Sequence, residues 1–211
     1  MNYVGFLIAV AIVFCLLVGS EIYWRGHTNQ SEFSRKFIHI TVGSFVAIWP
    51  FFLSWGQIQL LSLAFLIVVA LSKFLKIFQA IHSVQRPTWG ELFFALSVGA
   101  VTLLTHDKYL FAVAMLQMSL ADGFAAVIGT RFGKSNRYYI FGHAKSLAGS
   151  GAFLFISLLL LGAYGLLAGV NPGPLALLGV TFATTIIENV GILGLDNLLV
   201  PVALTIALAR Y

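Results

Sequence analysis

The sequence predicts an all-α, polytopic integral membrane protein, a helical bundle of seven or eight transmembrane helices. Three observations predict it. Of 211 residues, 60% are hydrophobic and 9% charged, where a soluble domain carries about 25% charged residues; mean hydropathy is +0.97. Eight apolar runs follow one another with brief connections: 3–22, 37–55, 58–75, 91–105, 109–130, 146–168, 174–193 and 197–210. Finally, the basic residues collect on one side of that eight-span arrangement, as a membrane topology requires.

The runs justify themselves in order. The first has the look of a signal peptide, but it lacks a positive n-region and no A-x-A-like site follows, so a retained span is expected. It carries the single cysteine, Cys15, expected as a small apolar core residue. Runs two, three, five, six and seven reach the roughly 17–20 residues that cross hydrocarbon. The fourth and the eighth are short for a crossing. Pro50, Pro172 and Pro174 mark turns on one side of the bundle. No polar stretch is long enough for a soluble domain, and no internal repeat is evident, so residues 1–211 read as one membrane-embedded domain.

Ten of the twelve Lys and Arg residues fall on one side: Arg25, Arg35, Lys36, Lys73, Lys76, Arg86, Arg131, Lys134, Arg137 and Lys145. The positive-inside rule makes that side cytoplasmic, with the N-terminus outside and loops 23–36, 73–90, 131–145 and 194–196 in the cytoplasm. The acidic residues gather there too. Glu91 opens the fourth run, Asp122 and Glu188 lie in the inner halves of the fifth and seventh, and Asp196 precedes the eighth. An ionisable group at the centre of a span costs about 2.5–3.5 kcal/mol on insertion scales, so Asp122 and Glu188 are expected to face a partner inside the bundle. Helical spacing places Ser119, Ala126, Gly129 and Gly133 beside Asp122, and Thr181, Thr184, Thr185 and Gly191 beside Glu188. Both stripes are small or polar and suit a close helix contact.

Between the fifth and sixth runs lies RFGKSNRYYIFGHAK, followed by SLAGSG. Glycines admit phosphate oxygens to backbone N–H groups, and a helix start adds a favourable dipole. Lys145, Ser146 and Gly149 occupy such a start, where Lys145 either snorkels or meets phosphate and Ser146 either caps the helix or does the same. Gly129 and Gly133 form a GxxxG that serves packing, phosphate approach or both. The stretch is no Walker A loop, having three residues between its glycines where four are needed. Carboxylates beside such a loop suit Mg²⁺, which takes one or two carboxylates plus phosphate oxygens. Phosphoryl or nucleotidyl transfer, which needs positioning and charge neutralisation, is therefore the expected chemistry. His27, His82 and His106 show no metal-binding spacing.

These residues resemble the family of phytol kinases, dolichol kinases and CTP-dependent diacylglycerol kinases, with phytol kinases the best match. The resemblance runs through Ala121-Asp122-Gly123 with Gly129 and Phe132-Gly133, then Lys145-Ser146-Leu147-Ala148-Gly149-Ser150, then Glu188, then Asp196-Asn197 and Pro201. Arg35-Lys36 and His39 resemble the family's RK-x-x-H segment, and Arg86, Thr88, Gly90 and Glu91 a block found in part of it. His143 stands where a basic residue is common. The group is distantly similar to phosphatidate cytidylyltransferases.

The resemblance implies a membrane kinase that moves the γ-phosphate of a nucleoside triphosphate, CTP by family habit, to the hydroxyl of phytol, another isoprenoid alcohol or diacylglycerol. It implies catalytic roles for Asp122, Lys145 and Glu188, and Mg²⁺ ligands among Asp122, Glu188, Asp196 and Asn197. Nucleotide contacts are implied for Arg35, Lys36, His39, Arg86, Gly129, Gly133, Lys145, Ser146 and Gly149. Asp122 is either metal ligand or base. The expected partners are the bilayer, the alcohol and the nucleotide, with no nucleic acid. Two rivals stand beside this reading: cytidylyl transfer to a lipid phosphate, and a small transporter with intramembrane carboxylates.

Overall fold

A backbone surrounded by lipid must satisfy its polar groups internally, and helices do this within one segment. The computed structural model describes residues 3–26, 32–75 and 89–211. Its helices are α1 (Tyr3–Gly26), α2 (Glu32–Ala47), α3 (Trp55–Leu75), α4 (Gly90–Leu104), α5 (Lys108–Leu116), α6 (Asp122–Phe132), α7 (Leu147–Ala168), α8 (Pro174–Val190) and α9 (Asp196–Leu208). A 3₁₀ turn, Trp49–Phe51, follows α2, and a π turn, Gln117–Ala121, joins α5 to α6 as one rod. The fold class is the expected all-α membrane bundle.

By length and composition, four stretches can cross a membrane among the described residues: Tyr3–Tyr23, Trp55–Ser72, Lys108–Phe132 and Leu147–Ala168. The rod Lys108–Phe132 is the centre, 61% buried where the other three are 18–28% buried. The other apolar helices are shorter, and α9 has 13 residues, which is about 20 Å at 1.5 Å per residue, against a hydrocarbon core of about 30 Å. The C-terminal end of α8 and the start of α9 carry Glu188 and Asp196, and these carboxylates limit how far the apolar stretch extends.

The core of Phe111, Leu110, Met115, Ile58, Val46 and Leu204 lies around α5. Asp107 caps that helix, its carboxylate accepting from the N–H groups of Tyr109 and Leu110 at 2.7 and 3.0 Å. Outward faces of α3, α7 and α8 present large apolar side chains such as Leu60, Leu166 and Leu175, as lipid contact requires. Cys15 is a correction: it is exposed rather than in the core. Among the described residues α1 packs chiefly on α2, and large apolar side chains such as Val4, Leu7 and Phe14 lie exposed along it.

Two close crossings bring the functional elements together. α6 packs on α7 where Gly129 meets Gly149: a Cβ on Gly149 would lie 2.9 Å from the Ala125 carbonyl oxygen and 3.4 Å from the Gly129 Cα. α2 crosses the rod through Gly43 and Gly123, where an added Cβ would come within 2.3 Å of Ser119 and of Ile40 respectively. The segment between the fifth and sixth apolar runs holds a hairpin, β1 (Arg137–Ile140) against β2 (His143–Ser146), antiparallel with Tyr138 opposite Lys145. Its two-residue turn, Phe141-Gly142, has φ of 48° and 79°, the positive pair of a type I′ turn.

Candidate active site

The site forms at the end of the bundle where α2 begins and α8 ends. Asp122 is the first residue of α6, directly after the π turn. An extra residue in one turn rotates everything after it by about 100°, and here Asp122 faces α2. Lys36 of α2 donates to Asp122 Oδ2 at 2.5 Å, with both side chains about one-tenth exposed. His39, one turn along α2, places Nε2 at 3.3 Å from the Met118 carbonyl oxygen and 3.8 Å from Asp122 Oδ2. A carbonyl only accepts, so Nε2 carries the proton of that hydrogen bond.

Glu188 lies near the end of α8, buried to 4% exposure, under a polar stripe of Thr181, Thr184 and Thr185. Lys145 reaches it from β2. Its ammonium donates to the Glu188 carboxylate and, at 2.9 Å, to the Glu188 backbone carbonyl. Burial pulls the Lys145 pKa down, but the carboxylates of Glu188, Asp196 and Asp122 together outweigh it and the ammonium is held above its ordinary value. The turn between α8 and α9 returns Asp196 to this pair. Leu193 and Gly194 both adopt positive φ (56° and 86°), and Gly191 packs against Asp196 so closely that an added Cβ would sit 2.6 Å from its Cβ.

Asp122, Glu188 and Asp196 thus come from three elements, with one carboxylate oxygen of each within 4.8 Å of the others. Oxygens around one octahedral Mg²⁺ lie about 3.0–4.2 Å apart, so a small closure fits the trio to that ion. Two ammonium groups, Lys36 and Lys145, face these three carboxylates, which leaves one negative charge in excess. A hard, oxygen-only donor set with surplus negative charge suits a divalent cation carrying phosphate.

A cavity of about 400 Å³ opens over the cluster. Its wall includes Lys36, Asp122, Gly129, Lys145, Ser146, Gly149, Glu188, Asp196 and Asn197 from the sequence-derived set. Ser146 is the N-cap of α7, its Oγ accepting from the Gly149 N–H at 3.1 Å, so that donor is engaged by the cap. Asn197 donates from Nδ2 to the Gly90 carbonyl at 3.0 Å, tying α9 to α4. Pro201 has no N–H to offer the Asn197 carbonyl four residues back. Gly133 packs behind Ser146, where an added Cβ would lie 2.3 Å from its Oγ. His39 stands behind Asp122. The backbone of Arg35 lies in α2 while its side chain is outside the described set, and Arg86 lies outside the described residues.

The cavity also holds residues that no sequence signal singled out as ligands: Arg137, His143, Thr130 and Ser150. Arg137 and His143 are visible in the sequence only as loop charge. Their place on the cavity wall depends on the hairpin register, which turn chemistry at Phe141-Gly142 alone does not announce.

The chain is 30% identical over 200 residues to a phytol kinase of Synechocystis sp., across 92% of this chain and 85% of that protein. No family model and no solved structure matches it. An identity that extends over nearly the full length of both proteins places the chain in the phytol kinase family.

Proposed function

We propose that the protein is a membrane-embedded kinase that transfers the γ-phosphate of a nucleoside triphosphate, CTP foremost, to the hydroxyl of phytol, another isoprenoid alcohol or diacylglycerol. The observation that carries this reading is the convergence of three carboxylates and two lysines on one cavity at the end of an apolar bundle. Kinship with a phytol kinase supports it.

In this reading Asp122, Glu188 and Asp196 hold Mg²⁺, with Asn197 as a further oxygen donor. Bound there, the ion supplies neutralising charge to the phosphates. Lys145 and Lys36 exchange carboxylate for phosphate contacts when nucleotide arrives, and the family resemblance alone assigns nucleotide contacts to Arg35 and Arg86. Gly129 and Gly149 keep the wall free of side chains beside the phosphates, while Gly133 and Ser146 hold that wall in shape. His39 fixes the orientation of Asp122. The alcohol reaches the site laterally from the bilayer. Its oxygen forms a bond to the γ-phosphorus, the bond to the bridging oxygen breaks, nucleoside diphosphate leaves, and a carboxylate of the cluster takes the hydroxyl proton. The site faces the cytoplasm in this reading, because the basic segment that carries Arg137 and Lys145 lines it.

The test is phosphate transfer by purified protein in detergent, from a panel of labelled nucleoside triphosphates to a panel of lipid alcohols and to phosphatidate. Lipid phosphate plus nucleoside diphosphate is the expected result. CDP-lipid plus pyrophosphate would instead establish cytidylyl transfer, and no product from any pair would overturn an enzymatic role.

A further inference from the structure

We infer that Tyr138 is a positioning residue for Lys145. The inference rests on the phosphate-binding role proposed for Lys145 and adds the device that aims its ammonium.

Tyr138 and Lys145 are register partners in the hairpin, so their side chains leave the same face of the two strands. Both reach the end of α8, at adjacent residues. Lys145 bonds Glu188, and the Tyr138 hydroxyl donates to Asn189 Oδ1. Ser150 of α7 completes the second contact, its Oγ 2.5 Å from the Tyr138 hydroxyl and 2.9 Å from Asn189 Oδ1. Two hydroxyl protons serve these three contacts, so two of them are hydrogen bonds at any moment. The Asn189 amide is oriented by its other end, since Nδ2 donates to the Thr185 carbonyl at 2.8 Å and a carbonyl accepts only. Its oxygen is therefore turned to the two hydroxyls.

The consequence is mechanical. A two-stranded hairpin has little stability of its own, and a lysine on a four-carbon stem has much freedom. The tyrosine bond pins the strand pair to the bundle one residue from Glu188. With the strand held, the Lys145 stem starts from a fixed place, and its ammonium remains over the cluster when Glu188 yields its contact to a phosphate-bearing ligand. Tyr138 itself touches neither carboxylate nor phosphate in this scheme.

Tyr138→Phe deletes the hydroxyl and keeps the ring. The expected result is a fall of about five- to tenfold in kcat/KM for the nucleotide, with the KM for alcohol and the thermal midpoint in detergent unchanged. Asn189→Ala removes the same bond from the other side, and the double variant should lose no more than either single one. Lys145→Met separates the inference from its foundation. Near-normal nucleotide kinetics in that variant would sink the proposed role of Lys145 and the inference with it. An impaired Lys145→Met beside a wild-type Tyr138→Phe would sink the positioning role alone. Where Lys145→Met is impaired, adding Tyr138→Phe should leave the Kd of a non-hydrolysable nucleoside triphosphate analogue unchanged. A full additional loss, or a loss confined to the thermal midpoint, overturns the inference.

Discussion

Asp122 and Lys36 decide each other's behaviour. Each is about one-tenth exposed, and removing one partner of a buried pair leaves the other charge uncompensated at about 3–5 kcal/mol. Asp122→Asn is therefore expected to abolish transfer and also to lower the thermal midpoint. Adding Lys36→Met removes the ammonium that has lost its buried partner. The double variant should recover the midpoint but no activity, which unfolding scans in detergent and turnover at saturating Mg²⁺ check together. Activity near wild type in the double variant would make Asp122 a structural residue. Lys145 sits on the other side of the same cluster. Lys145→Ala removes one contact to developing charge and should lower turnover by roughly 10²–10³-fold, chiefly through the nucleotide. Lys145→Arg should recover only part of this, because a planar fork does not replace a point charge in a confined space. Steady-state kinetics with each substrate varied in turn checks both. A rise confined to the KM for alcohol would move Lys145 to the acceptor side.

At the scale of elements, the α6–α7 crossing and the π turn set the geometry that the charges use. Gly149 has no room for a methyl group, since its Cβ would meet the Ala125 backbone carbonyl at 2.9 Å and a carbonyl on a packed helix cannot move alone. Gly149→Ala should lower stability by about 1–3 kcal/mol, the usual range for overpacking. Activity should fall further than the stability loss explains, because α6 carries Asp122 and α7 follows Lys145. The check is the thermal midpoint beside turnover measured well below it, and Gly151→Ala on the same helix is the control, where an added Cβ meets nothing within 4 Å. The small residues on these faces are legible in the sequence as a 3–4 spacing. The π turn is not, because one added residue in a continuous apolar run leaves composition and capping signals unchanged.

For the molecule as a whole, the described connections place the hairpin, the α8–α9 turn and the start of α4 at one end. The Trp89 N–H donates to the Leu193 carbonyl at 2.9 Å, and Asn197 holds the Gly90 carbonyl. Asn136 belongs to that end, while Asn171 lies in the α7–α8 connection, one full helix away. The 22 residues of α7 separate them, about 33 Å at 1.5 Å per residue, enough to cross hydrocarbon. Single cysteines placed there, with Cys15 replaced, should label from opposite faces, Asn136 from the cytoplasm. Labelling of Asn136 from outside in intact cells would invert the proposed topology.

The sequence by itself determined the membrane class, the order of the apolar helices and the two carboxylates most expensive to bury. These follow from local composition and from the insertion cost of Asp122 and Glu188, which no neighbour is needed to compute. It also marked Lys145 and Asp196 through their place at helix starts. Only the tertiary structure decided the partners. Lys36 and Asp122 are 86 residues apart and meet because Gly43 and Gly123 let two helices approach. Asp196 joins Glu188 through backbone angles at Leu193 and Gly194 that residue type alone does not dictate. Tyr138 faces Asn189 only because the hairpin register puts it beside Lys145. A charge reveals its cost along the chain, but what compensates that charge is set by packing between distant segments.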